Sequence, residues 1–161
     1  MAMQYDVVSK HAQTSTTLTT SRVRVKNVTV TSGTSSLRNI AIADPTVYKS
    51  GTYSQTLFVI TVSITAHGLT TGDRVFLDVT SGTGRDAVYA VTVTDANTFT
   101  VTSAASTSTS GNATIYTSIA LELDTYSTVG LPILIPGEGI LMPNGVFAGV
   151  GSSVTMTVYY G

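Results

Sequence analysis

An all-β, antiparallel fold is what this sequence predicts, and three observations carry the prediction. The closing run alternates strictly, with Val154, Met156, Val158 and Tyr160 on one side and Ser153, Thr155, Thr157 and Tyr159 on the other. That is the two-residue period of a strand with one buried face. Nowhere do apolar residues recur at helical spacing over a helix-length window. Ser and Thr together supply about three residues in ten, and Thr is a strand former.

The elements follow in order. Met1 and Tyr5 bound a short apolar lead-in, and residues 10–21 (KHAQTSTTLTTS) form a polar, low-complexity stretch. It reads as an extended arm, either solvated or reaching over a neighbouring subunit. Residues 22–31 (RVRVKNVTVT) are the first firm strand. Its apolar phase slips by one at Lys26-Asn27, which predicts a bulge or a change of sheet. Leu37, Ile40 and Ile42 mark a second strand, stopped by Asp44-Pro45, and residues 47–53 a weak one broken at Ser50-Gly51. Phe58, Ile60, Val62 and Ile64 then alternate into the turn Ala66-His67-Gly68. Strands follow at 75–79, 88–94 and 98–102, separated by the loop Ser81-Gly82-Thr83-Gly84 and the turn Asp95-Ala96-Asn97. Residues 104–112 (AASTSTSGN) read as linker, and Ile119, Leu121 and Leu123 resume a strand. Pro136-Gly137-Glu138-Gly139 and Pro143-Asn144-Gly145 are turns, because Pro fixes φ while Gly and Asn accept φ > 0. Residues 145–150 read as the hairpin partner of the last strand, through Gly151-Ser152-Ser153.

At 161 residues the chain makes one domain or two small ones. Its charged residues are 11% of the total, against roughly 25% in ordinary soluble proteins. A surface kept soluble by hydroxyls has few charges to hold neighbours apart, which favours packing against other copies or another protein. A net charge of −1 offers no long-range field to nucleic acid or an acidic membrane. The absence of cysteine excludes disulfides and thiol chemistry. No apolar run approaches the roughly 20 residues that span a bilayer as a helix, and no basic-then-apolar secretion signal is expected at the amino terminus.

Two resemblances bear on function. The turn His67-Gly68-Leu69-Thr70-Thr71-Gly72-Asp73-Arg74-Val75, the segment Ala87-Val88-Tyr89-Ala90-Val91 and the close Asp95-Ala96-Asn97-Thr98-Phe99-Thr100-Val101 resemble a small β-barrel module of tailed-bacteriophage virion proteins. The same module resembles the first catalytic cysteine half-domain of ubiquitin-activating enzymes. The flanks, Arg22-Val23-Arg24-Val25-Lys26-Asn27-Val28-Thr29-Val30 with Leu134-Ile135-Pro136-Gly137-Glu138-Gly139-Ile140 and Asn144-Gly145-Val146-Phe147, resemble a family of short phage virion proteins. That family closes, as here, on an alternating strand with a terminal aromatic and Gly (Val158-Tyr159-Tyr160-Gly161). Together they imply an antiparallel β-sandwich of residues 1–56 and 118–161 carrying a small β-barrel inserted at 57–117.

Chemistry-bearing constellations are sparse. His11 and His67 have no ligand partners at metal spacing, so no metal or other cofactor is expected. Asp73, Asp78 and Asp86 read as turn caps and strand residues; a calcium loop needs denser oxygens and a glycosidase two carboxylates in a cleft. The 81–85 loop lacks the Gly-Lys-Ser/Thr end of a phosphate loop, and no nucleophile elbow exists. Arg22, Arg24 and Lys26 share one face of a strand. Without interleaved aromatics they are a poor nucleic-acid stripe, and read as a clamp on an acidic neighbour or a charged edge. Tyr159 and Tyr160 join them as interface residues. The expectation is therefore a non-enzymatic virion component that forms homo-oligomers and contacts other virion proteins, without membrane or direct nucleic-acid binding. A capsid decoration or cement protein on the major capsid shell is the first form of this, and a tail, fibre or baseplate part with a carbohydrate-binding barrel the alternative.

Overall fold

The structure, a computed structural model, describes residues 7–33, 38–125 and 128–161. The lead-in at 1–5, Leu37 and Tyr126 lie outside them. The described residues hold strands and turns and no helix, so the chain is all-β. It divides into two units, Met1–Thr46 with Ala120–Gly161, and Val47–Ile119.

The strands of the amino-terminal part are β1 (Val8–Ala12), β2 (Thr16–Thr19), β3 (Val23–Ser32) and β4 (Arg38–Ala43). The second unit supplies β5 (Tyr48–Ser63), β6 (Arg74–Val79), β7 (Ala87–Ala90), β8 (Thr92–Asp95) and β9 (Thr98–Tyr116). The carboxyl-terminal part adds β10 (Ile119–Thr125), β11 (Leu131–Leu134), β12 (Ile140–Met142), β13 (Val146–Val150) and β14 (Val154–Tyr160).

In the first unit two sheets enclose one core. One runs β1-β14-β3-β11 with β12 also on β3, and the other runs β10-β4-β13-β2. Val25, Val28, Val30, Met156 and Val158 face Ile40, Ile42, Val146, Ala148 and Val150 in a single buried cluster, which makes the unit a β-sandwich. The alternation of residues 153–160 is realised as predicted, with Val154, Met156, Val158 and Tyr160 buried. Lys26 is the extra residue at the predicted phase slip: Tyr159 pairs with Asn27 and Tyr160 with Val25. Asp44 closes the second strand by accepting from Thr46 N (2.8 Å), Thr46 Oγ1 (2.7 Å) and Asn144 Nδ2 (2.7 Å). Burial pushes its carboxyl up, but those bonds outweigh it and hold the pKa below the ordinary value.

Three expectations are corrected. β13 and β14 are not a hairpin; β13 pairs with β4 and β2, β14 with β1 and β3. The turn between them passes the chain from one sheet to the other, with Ser153 at φ 65°. A two-residue period says which face is wet, not which strand lies alongside. Residues 10–21 are no free arm: β1 pairs with β14 and β2 with β13, and Ala12 and Leu18 anchor them in the core. Residues 104–112 are no linker, and the strand expected at 47–53 starts at Tyr48 and continues without a break at Ser50-Gly51. They lie in β9 and β5, which run antiparallel from Tyr48↔Tyr116 to Ser63↔Thr98. The expected start of the inserted body at 57 thus falls inside β5.

The second unit is one sheet, β5-β9-β6-β7 with β8 on β9, over a core that includes Tyr53, Ile60, Val62, Leu77, Phe99 and Ile115. The β5–β9 register breaks between Leu57 and Val59, where β9 carries the extra residues, and β5 curls until Gly51 meets the Ser63 carbonyl, where a Cβ would collide. Only a residue without one fits.

The chain enters and leaves this unit side by side, at Val47 and Thr117, whose N–H reaches the Val47 carbonyl at 3.4 Å. Replacing residues 47–118 by a short Gly-Ser linker is therefore expected to leave a sandwich with a β-type circular dichroism spectrum and one cooperative unfolding transition. An aggregated product would contradict the two-unit division. Met156→Ala in the full chain is expected to cost about 2–5 kcal/mol by chemical denaturation, since it opens a cavity between the sheets.

Candidate functional site

Because β3 and β14 alternate, the sheet that contains them has a second face, pointing away from the core. Register assembles that face in rows: Ser9, Tyr159, Asn27 and Leu134 lie abreast, and beside them His11, Thr157, Thr29 and Pro132. Leu141 stands opposite Arg24 on the neighbouring strand. The hydroxyl of Thr157 meets His11 Nδ1 at 3.0 Å.

At the Lys26 bulge the strands on β3 part, and the turn at 136–139 fills the gap. Gly139 sits at φ 82° with its Cα against the Val25 carbonyl, a close approach a side chain would block. Lys26 Nζ donates to the Glu138 carbonyl at 2.9 Å, and Arg24 Nη1 reaches the Gly139 carbonyl at 3.4 Å. Arg24 also lies 3.6 Å from the Glu138 carboxylate, whose side chain is 83% exposed. So open a pair contributes about 0–1 kcal/mol. Arg24 and Lys26 thus clamp their own turn, while Arg22 stays open. With Val23, Arg24, Leu141 and Gly161, Arg22 lines a shallow pocket of about 220 Å³.

Of the five residues singled out from sequence, the structure gathers Arg22, Arg24, Lys26 and Tyr159 on or beside this face. Tyr160 points the other way and is buried in the core. Missed were Leu134, 77% exposed, and Leu141, 40% exposed. Their sign was present in the alternation of Leu131, Ile133 and Ile135 against Leu134, which puts one apolar residue on the wet side. An outward Tyr, two outward Leu and Arg have the composition of an interface centre. At the sheet's edge, Pro132 in β11 cannot donate a hydrogen bond, so lengthening the sheet there by another strand is disfavoured and contact through the flat face is left.

In the second unit His67, Asp73, Tyr53 and Tyr89 are bonded to backbone. His67 is buried; its Nδ1 accepts from Leu69 N–H at 3.0 Å, so Nε2 carries the proton and donates to the Asp95 carbonyl at 2.9 Å. Both nitrogens are bonded to backbone, and the ring packs edge-on to Phe99 at 5.3 Å. Asp73 accepts from Thr70 N–H at 2.8 Å. In the 80–86 loop Gly84 N–H donates to Tyr53 Oη at 2.9 Å, and Tyr89 Oη donates to the Arg85 carbonyl at 2.9 Å. Among the described residues no group of three His, Cys, Asp or Glu side chains could hold a metal ion. Comparison with protein-family models, curated proteins and solved structures returns no match.

Asp86 is shifted in the opposite sense to Asp44. Burial pushes Asp86 up to about 7, opposed by the hydrogen bond from Val79 N–H (2.7 Å) and reinforced by the charge of Asp78. The folded state then holds a proton that the unfolded chain has already released. Stability of the second unit is expected to fall as pH rises from about 4 to about 7, by a few kcal/mol at most. Asp86→Asn, which keeps an acceptor for Val79, is expected to flatten that slope in denaturation curves taken across the range. An unchanged slope would assign it to other groups.

Proposed function

We propose that this chain is a non-enzymatic structural component of a tailed-bacteriophage virion, a capsid decoration or cement protein that binds the major capsid shell. The observation that carries the proposal is the outer face of the β1-β14-β3-β11 sheet, where Leu134, Leu141 and Arg22 are exposed and Tyr159 half-buried beside the Arg24–Lys26 clamp. Covering a Leu side chain is worth about 1.5–3 kcal/mol, so one such face makes a modest contact. Symmetry multiplies modest contacts: a lattice of identical shell subunits presents many copies of one footprint, and oligomers of the decorating protein sum their affinities. A body with 11% charged residues tolerates that crowding better than a strongly charged one. The resemblance of residues 22–30 and 134–147 to short phage virion proteins supports the same reading. On it the chain acts on the particle, assembled in the host cytoplasm, through protein contacts alone.

Copy number separates this role from its alternative. Quantitative gels of purified particles are expected to show hundreds of copies per virion, with the protein co-sedimenting with emptied heads. Copies in the tens would move it to the tail, fibre or baseplate, with the second unit as the host-recognition part, and its absence from particles would end the proposal. Leu134→Asp with Leu141→Asp is expected to weaken binding to emptied heads about tenfold or more, with the fold intact by circular dichroism.

A further inference from the structure

We infer that Asn144 is a site of spontaneous covalent change, losing its amide to become aspartate or isoaspartate, and that the Asp44 carboxylate is the brake on that change. Asparagine is a thermally labile residue, and its loss requires the next backbone nitrogen to reach the side-chain carbon. The chain has five asparagines, at 27, 39, 97, 112 and 144, and only Asn144 is followed by glycine. Asn27, Asn39 and Asn112 lie inside β3, β4 and β9, and Asn97 is followed by the β-branched Thr98, which opens β9. Asn144-Gly145 stands instead in the turn between β12 and β13. The last pairing before it is Met142↔Val23 and the first after it Val146↔Thr19, so the Gly145 nitrogen belongs to neither ladder. Asn144 is exposed, which admits water, and Gly145 puts no side chain in the way. The fold also retains that glycine: it sits at φ 108°, and a Cβ there would collide with the Thr19 carbonyl.

In the reaction the Gly145 nitrogen gives its proton to solvent and attacks Asn144 Cγ. A C–N bond forms, the Cγ–Nδ2 bond breaks, and the amide nitrogen leaves as ammonia, taking a proton from water. One water molecule then opens the five-membered imide at either of its two carbonyls. Opening at one leaves aspartate. Opening at the other routes the main chain through the side chain and leaves isoaspartate, one methylene longer. Water is the only co-reactant, and nothing is oxidised or reduced.

Asp44 opposes the first step. Its Oδ2 accepts from Asn144 Nδ2 at 2.7 Å, and a carboxylate can only accept, so the amide nitrogen is the end that faces it. Accepting from Nδ2 pushes electron density into the amide, which makes Cγ a poorer target. The negative charge also disfavours the anionic nitrogen that attacks. The carboxylate is held in place by Thr46 N and Thr46 Oγ1 and is 7% exposed. Once the amide is lost, a second carboxylate faces Asp44 where a donor stood, and like charges so close disfavour each other. The tie between the end of β4 and this turn is then broken. The isoaspartyl form further lengthens the chain just before β13, which pairs with both β4 and β2. Conversion therefore loosens the first unit.

The test is incubation of the full chain in warm, mildly alkaline buffer, followed by peptide mass spectrometry with fragmentation that separates position 144 from 97 and 112. Conversion at 144 is expected to run about tenfold or more faster than at any other asparagine. Asp44→Asn, which removes the charge and keeps an oxygen for Thr46, is expected to quicken conversion at 144 about threefold or more. Asp44→Ser, whose hydroxyl can still bond the backbone two residues on, is a second variant. The rate is read from whichever of the two retains the wild-type circular dichroism spectrum. In chemical denaturation the converted fraction is expected to unfold at a lower midpoint than fresh protein. Asn144→Ser, which keeps a donor for Asp44 and cannot form the imide, is expected to hold its midpoint through the same incubation. Conversion no faster at 144 than elsewhere, a folded Asp44 variant that converts no faster than the wild type, or a converted fraction as stable as fresh protein would each overturn the inference.

Discussion

The first unit depends on the position of β14. This strand is hydrogen-bonded on both sides, to β1 and to β3, so the sheet at its centre is made from residues at opposite ends of the sequence. Ala12 meets Met156, and Ser32 meets Val154. Closing so long a loop costs little more than closing a moderate one, because the entropy grows only with the logarithm of its length. The second unit can therefore occupy the middle of the chain at small thermodynamic cost. Kinetics is the more demanding side, since pairings of high sequence separation must wait for the chain to find them. Entry and exit of the second unit lie side by side at the start of β5 and the end of β9.

Two bulges do comparable work in the two units. At Lys26 the extra residue lets β3 change partner from β11 to β12, and the turn at 136–139 closes over the gap. Beside Leu57 the extra residues lie in β9, where 103–106 pass the single residue Phe58 between the pairs Leu57↔Thr107 and Val59↔Thr102. In each case a long side chain secures the irregular backbone: Lys26 through the Glu138 carbonyl, Gln55 through those of Leu57 and Ala105. In each case the irregularity also governs what reaches the surface. The first frames Leu134 and Leu141 beside Tyr159, and the second brings Leu57, Phe58 and Val59 outward together. Bulges commonly re-aim side chains in this way.

Several polar side chains of the described residues are spent on the fold. His67, Asp73 and Asp44 are each bonded within a turn or strand end. His67 closes the turn before β6, Asp73 caps its own loop, and Asp44 ties the end of β4 to Asn144 across a hundred residues. Asp86 binds the Val79 amide. On the outer face of the first sheet, Arg22, Leu134 and Leu141 are exposed.

Much was determined by sequence alone. The two-residue period of 153–160 assigned buried and wet residues correctly, because a pleated strand leaves side chains no other choice. The phase slip at Lys26-Asn27 announced its bulge for the same reason. The stripe of Arg22, Arg24 and Lys26 was legible as one side of a strand, but not its capture by the 136–139 turn, which depends on a segment more than a hundred residues away. Residues 104–112 looked like linker, since Ser, Thr and Gly carry no apolar signal; pairing with β5 makes them strand. Tyr159 and Tyr160 are adjacent and alike in sequence, and only the sheet separates them into a surface and a core residue. Local period and turn chemistry are written along the chain, whereas the choice of neighbour is a free energy shared between distant segments, and tertiary structure alone decides it.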